Sequence, residues 1–306
     1  GHQAEGKIQI QYDAVEVLLS DSESVTLRKP NYTVINLGYG PMHPDTLFSA
    51  RIAPPMIGLG LLEMIAEADI LALADPDDQD NDGISGRAAW SRNSRTKDLQ
   101  LGRFGWKAGQ PTLDQQNQVA FNGDIGLSTL SQPSPGGDCT SNQRVCLLAP
   151  SGDSEQYEGR EVGQIMSEFV LFYTQNLAVP ARRNVGNETV LAGKQLFYET
   201  GCVACHQPSY VTTVDDHKKA LSNQKIWPYT DLLLHDMGEG LADNRSEGVA
   251  TGREWRTPPL WGIGLTQTVN GHSQFLHDGR ARGFLEAILW HGGEAQLTKQ
   301  KVIEMT

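Results

Sequence analysis

"AGKQLFYETGCVACHQP", Ala192 to Pro208, is the stretch on which the reading of this chain turns. It holds Cys202, Cys205 and His206 in one C-x-x-C-H run. Three chemistries use such a run. A zinc site needs four ligands, or three plus water, and no second cysteine pair lies nearby. A thioredoxin-like dithiol follows a strand in a βαβ pattern. Here "VLAGKQLFYETG" reads instead as a short amphipathic helix, with Gly193, Leu196, Phe197 and Thr200 on one face. C-x-x-C-H directly after such a helix is the signature of covalent haem c attachment. Two thioether bonds fix the porphyrin edge, and the next residue places its imidazole under the iron.

The other face of the iron asks for a second ligand. His217 lies in a polar stretch and His272 in a turn. His235 and Met237, in "LLLHDMG", are expected near the haem as well. The informative segment is "FLHDGRARGFLEAILWHGGEA", residues 275 to 295. Its pattern is helical from Phe284 to His291, and Gly292-Gly293 ends it. Phe284, Ala287, Ile288 and His291 share one face, which aims His291 toward the core. The alternative is a histidine facing the helix dipole at a C-terminus.

Working outward, 306 residues suit two domains of ordinary size. The 32 glycines and 15 prolines point to irregular backbone between short helices. A formal net charge of -12 argues against a nucleic-acid partner. No run approaches the ~18 apolar residues of a membrane span, and no secretory signal is visible. The start at Gly1 and the polar ending "KQKVIEMT" both read as cut ends. Cys139 and Cys146, in "GGDCTSNQRVC", are expected to form a disulfide, because free thiols in an exposed loop are a liability. A disulfide implies an oxidising compartment such as a periplasm, reached by a signal peptide outside this chain.

"GKQLFYETGCVACHQP", "PYTDLLLHDMGEGLAD", "EWRTPPLWGIGL" and "FLHDGRARGFLEAILWHGGEA" resemble the bacterial di-haem oxidoreductase family. That family is related to the di-haem cytochrome c peroxidases. Further similar segments are "SARIAPPMIGLGLLEMI", "DNDGISGRAAW" and "GRFGWKAGQPTLDQQ", so the resemblance covers nearly the whole chain. In the peroxidase relatives the sixth ligand of the electron-transfer haem, a methionine or tyrosine, comes from the helix matching "LEAILWH". The resemblance therefore implies His206 on one face of the iron and His291 on the other. It also implies that Arg256, in "EWRTPPL", lies beside the haem propionates, where a guanidinium is electrostatically favoured.

A duplication accounts for much of the remaining sequence. "PPMIGLGL" from Pro54 and "PPLWGIGL" from Pro258 share five identities in eight positions. Each follows an arginine, Arg51 or Arg256, and each precedes a helix start, at Leu61 or Phe284. His206 lies 52 residues before Pro258 (258 − 206), and the same count back from Pro54 reaches position 2. A first haem motif is therefore expected around or before the chain start. Overlaying "LLEMIAEA" on "FLEAILWH" puts Ala68 at the place of His291, leaving an open iron site in the first copy where peroxide can bind. Glu63 and Glu67 are then candidate acid–base groups, with ordinary surface glutamates as the alternative.

"DPDDQDNDGISGR" sets Asp78, Asp80 and Asp82 at alternate positions before Gly83, like the start of a calcium loop. It has Ala89 where an EF-hand needs glutamate, so a solvated acidic turn is the alternative. The peroxidase relatives hold calcium between their haem domains. Trp106 reads as core packing or as a relay between haems. The stripe Val162, Ile165, Met166, Phe169, Val170 and Tyr173 reads as core.

The expected fold is mainly α, with two cytochrome-c-like domains over 1–185 and 186–306, long loops and little β. The expected function is a periplasmic c-type haem oxidoreductase of the di-haem peroxidase kind. A small redox protein would donate electrons and hydrogen peroxide would accept them. The alternatives are a non-enzymatic electron-transfer cytochrome and a non-catalytic periplasmic module of the same fold.

Overall fold

The computed structural model describes residues 4–20 and 22–305. The chain opens with two long strands, β1 (Lys7–Leu18) and β2 (Ser24–Ile35), paired antiparallel from Lys7↔Ile35 to Leu18↔Ser24. Short helices α1 (Leu59–Glu63) and α2 (Glu67–Leu71) follow. Next come the strand pair β3 (Trp90–Arg92) and β4 (Leu99–Leu101) and the helices α3 (Leu113–Ile125), α4 (Arg144–Leu147) and α5 (Gln164–Gln175). Beyond them lie α6 (Glu188–Glu199) and two small pairs, β5 (Tyr210–Val211) with β6 (Lys225–Ile226) and β7 (Leu234–Asp236) with β8 (Glu254–Arg256). α7 (Thr266–Asn270), α8 (Phe284–Trp290) and α9 (Gln296–Met305) end the described chain.

This overturns the mainly-α, cytochrome-c-like expectation. The chain is 28% helical and 17% strand, all of the strand in small antiparallel sheets, so loops carry most of the backbone. Left-handed glycines turn the chain into short helical elements; Gly58, Gly201 and Gly262 each stand just before one, with φ of 70°, 94° and 71°. The longest sheet had a legible signal. Ile8, Ile10 and Tyr12 alternate with polar residues, the period-2 pattern of a strand. The turn end of this hairpin packs, through Leu19 and Leu27, against Leu241, Trp255, Leu289 and Trp290. Arg28 donates to the carbonyls of Gly279 and Arg280, and the Tyr32 hydroxyl donates to Asp278.

A second apolar cluster joins Leu62, Ile65, Ile70, Leu101, Phe104 and Leu113 to Tyr210, Ile226, Leu232 and Leu233. Both clusters draw on residues from either side of position 185. α5 differs from its sequence reading. Ile165, Phe169 and Tyr173 are 64 to 71% exposed, and its buried side chains are Ser167 and Thr174. Asn117 of α3 donates to Thr174 at 2.9 Å, so this helix contact is polar where an apolar stripe was expected.

The two proline-glycine motifs pack against each other reciprocally. At an offset of 204 (258 − 54), Ile57 corresponds to Trp261 and Gly58 to Gly262. A Cβ on Gly58 would strike Trp261, and one on Gly262 would strike Ile57. A second pair of matching turns spans Phe104↔Gln110 and Phe275↔Ala281, each closed by one bridge. Their left-handed residues also match: Gly105 with Leu276 and Ala108 with Gly279. The two turns cross-link the motifs symmetrically, because Ile52 N–H donates to His277 and Arg256 N–H donates to Trp106, at 2.8 and 2.9 Å. The halves are thus related by an internal pseudo-two-fold. Its register pairs Arg256 with Ile52 and Arg51 with Trp255. At the turn offset of 171 (275 − 104), His291 corresponds to Ala120 of α3, which corrects the overlay on Ala68.

Candidate haem site

Asn187 caps α6 by accepting from Thr189 and Val190 N–H, and Gly201 turns the chain out of the helix. Cys202–Ala204 then form a single 3-10 turn that presents Cys202, Cys205 and His206 together. Both thiols are free. His206 Nδ1–H donates to the Tyr229 carbonyl at 2.9 Å, and His291 Nδ1–H donates to the Ala287 carbonyl at 2.7 Å. A carbonyl can only accept, so both tautomers are set and both Nε2 atoms carry the lone pair. Burial pushes His206 down to about 4, and it also lowers His291. Both rings are therefore neutral at pH 7, as metal ligation requires. Phe197 of α6 lies against His206, with ring centres 6.1 Å apart.

Arg256, on β8, is 4% exposed. Its Nε donates to the Gly105 carbonyl at 2.8 Å and its Nη1 to the Thr257 carbonyl at 3.0 Å. Among the described residues no carboxylate contacts it, and burial lowers it to about 10, opposed by the charge of Asp231. A buried cation with only carbonyl partners asks for an anion. These residues fit a haem. The imidazoles of His206 and His291 offer ligand lone pairs, the paired thiols offer attachment, and Arg256 offers a partner for propionates.

His235 lies against this site, with Cys205 Sγ 3.5 Å from its Nδ1. Burial raises the Cys205 thiol, and the hydrogen bond from His235 opposes that. The ring is also held by Asp231 and Glu294, two residues that the sequence reading missed. Glu294 comes from the turn after α8 and lies 59 positions from His235, so no local spacing announces it. Met237 packs instead into the apolar cluster around Trp255 and Leu289.

The remaining candidates are spread more widely. In the acidic loop, carboxylate oxygens of Asp75, Asp78 and Asp80 come within 4.8 Å of one another. Asp82, expected in that set, accepts from Ile84 N–H at 2.8 Å instead, and Asp75 takes the third place. Cys139 and Cys146 are bonded, with Cα atoms 6.4 Å apart. Glu63 is structural: it accepts from Leu113 N–H, Gln175 and Lys218. Glu67 is exposed. Trp106 donates to the Ile52 carbonyl at 2.8 Å and meets the His277 ring edge-on. Position 2, where the repeat count places a first haem histidine, lies outside the described residues.

No helix among the described residues is long and apolar enough to cross a membrane. No curated protein and no solved structure matches the chain. One family model, described as "Di-haem oxidoreductase, putative peroxidase", matches residues 1–306. With that match over its whole length, the chain belongs to the di-haem oxidoreductase family.

Proposed function

We propose that this chain is part of a periplasmic di-haem oxidoreductase that reduces hydrogen peroxide with electrons from a small redox protein. The observation that carries the reading is the pair of neutral imidazoles, His206 and His291, each with Nδ1 tied to a backbone carbonyl and Nε2 free to bind iron. Haem c, when bound, supplies a reversible one-electron iron couple. Cys202 and Cys205 would anchor it, His206 and His291 would ligate its iron, and Arg256 would pair with its propionates. An iron held by both imidazoles would serve electron transfer rather than peroxide binding. We assign peroxide to the first copy, where Ala120 stands in the place of His291 and α3 offers no imidazole there. Asp75, Asp78 and Asp80 are the residues that would hold calcium. The Cys139–Cys146 disulfide and the C-x-x-C-H motif both suit an oxidising compartment.

A second reading, a non-enzymatic electron carrier, draws on the single C-x-x-C-H motif of this sequence. One experiment separates the two. The full-length protein is exported in a host that matures c-type cytochromes, then analysed by pyridine haemochrome and intact mass. Two covalent haems per chain and peroxide-dependent oxidation of a reduced small cytochrome support the enzyme. One haem without turnover supports the carrier. His291→Ala is expected to keep the haem mass but lose the low-spin bands. Absence of covalent haem from the parent would overturn both readings.

A further inference from the structure

The two ring nitrogens of His235 each face a carboxylate oxygen. Nε2 lies 2.7 Å from Asp231 Oδ2, and Nδ1 lies 2.6 Å from Glu294 Oε2. Ionised carboxylates only accept, so both nitrogens carry protons and the ring is an imidazolium. The assembly is deep: the side chains of His235 and Asp231 are each 2% exposed and that of Glu294 is 11% exposed. Ligand atoms of Cys205, Asp231 and His235 come within 4.8 Å of one another. That spacing could suggest a metal, but this ring has no lone pair left to give.

Each carboxylate also has donors of its own. Leu233 N–H donates to Asp231 at 2.9 Å. Ser85 Oγ–H and N–H donate to Glu294 at 2.6 and 3.1 Å, and Asp236 N–H donates at 2.9 Å. One imidazolium between two carboxylates is a buried net charge of −1 placed against the sulfur of Cys205.

We propose that Asp231, His235 and Glu294 form a fixed charge assembly that sets the midpoint potential of the haem anchored through Cys205, with His235 as its positioning residue. The proposal rests on the haem reading above. Reduction adds one electron, delivered by the redox partner, to the haem iron. Negative charge near the haem opposes that step and positive charge favours it, and a dry interior screens neither.

The test is potentiometric titration of the full haem-loaded chain, with covalent haem counted by intact mass in every sample. His235→Asn removes the assembly's one positive charge, and its midpoint potential, read at alkaline pH where both carboxylates are ionised, is expected to fall. Glu294→Gln takes the assembly from −1 to 0, and its potential is expected to rise. Loss of a merely structural contact would not move the two in opposite directions while leaving the low-spin spectrum intact. Potentials equal to the parent's, or shifts of the same sign, in variants with full haem and the parental spectrum would overturn the proposal and leave the haem reading standing. If His235→Asn loads no haem, Glu294→Gln decides, and an unshifted potential there rejects the idea. A parent without covalent haem rejects the underlying reading and the proposal together.

Discussion

Burial lowers the proton affinity of each buried histidine in this set, and charged partners decide whether that tendency wins. His235 is held between two carboxylates, and its affinity for a proton is raised well above the ordinary value. His277 has no such clamp. It stacks on Trp255 with ring centres 3.7 Å apart, and burial pulls it down to about 4. A depressed histidine stabilises the fold above its unfolded pKa of about 6.5. As pH falls from there toward 4, the unfolded chain takes up the proton first and that stability is lost. The full effect of one such ring is about 3 kcal/mol. Replacing His277 with Gln is therefore expected to flatten the loss of stability between pH 6.5 and 4. Urea titrations of the parent and the variant at both ends of that window check it. His206, depressed to the same value, acts in the same sense wherever iron does not hold it.

At the scale of elements, α1 and α5 meet through a glycine. A Cβ on Gly60 would lie 2.1 Å from the Gln175 carbonyl oxygen, which is backbone and cannot swing away. Gly60→Ala is expected to destabilise the protein by about 1–3 kcal/mol, read as a lower denaturation midpoint. How much of such structure the sequence announces depends on how local its causes are. The C-x-x-C-H run, the helix before it and the helix leading to His291 were legible because each is written within a dozen residues. The alternation in Lys7–Leu18 is equally local. Glu294 beside His235 and Asp75 in place of Asp82 were not legible. Those partners are chosen by loop paths that the left-handed residues set. The apolar stripe of α5 misled because periodicity gives a helix its faces without saying which one turns inward.

Across the whole molecule, the two halves share their apolar clusters and an internal pseudo-two-fold. Because residues from either side of position 185 complete both clusters, heat or denaturant is expected to melt them together. Tryptophan fluorescence and far-ultraviolet circular dichroism should then give coincident midpoints. Separate midpoints would show that the halves stand alone. The first hairpin adds a consequence for biosynthesis. Arg28 and the Arg280 carbonyl it binds lie 252 positions apart. At ~5–20 residues per second, a ribosome needs on the order of 10–50 s to deliver that partner after the hairpin is made. Throughout that interval Leu19 and Leu27 have nothing to bury against, so the newborn chain carries an uncovered, sticky ribbon that holdase chaperones are suited to guard.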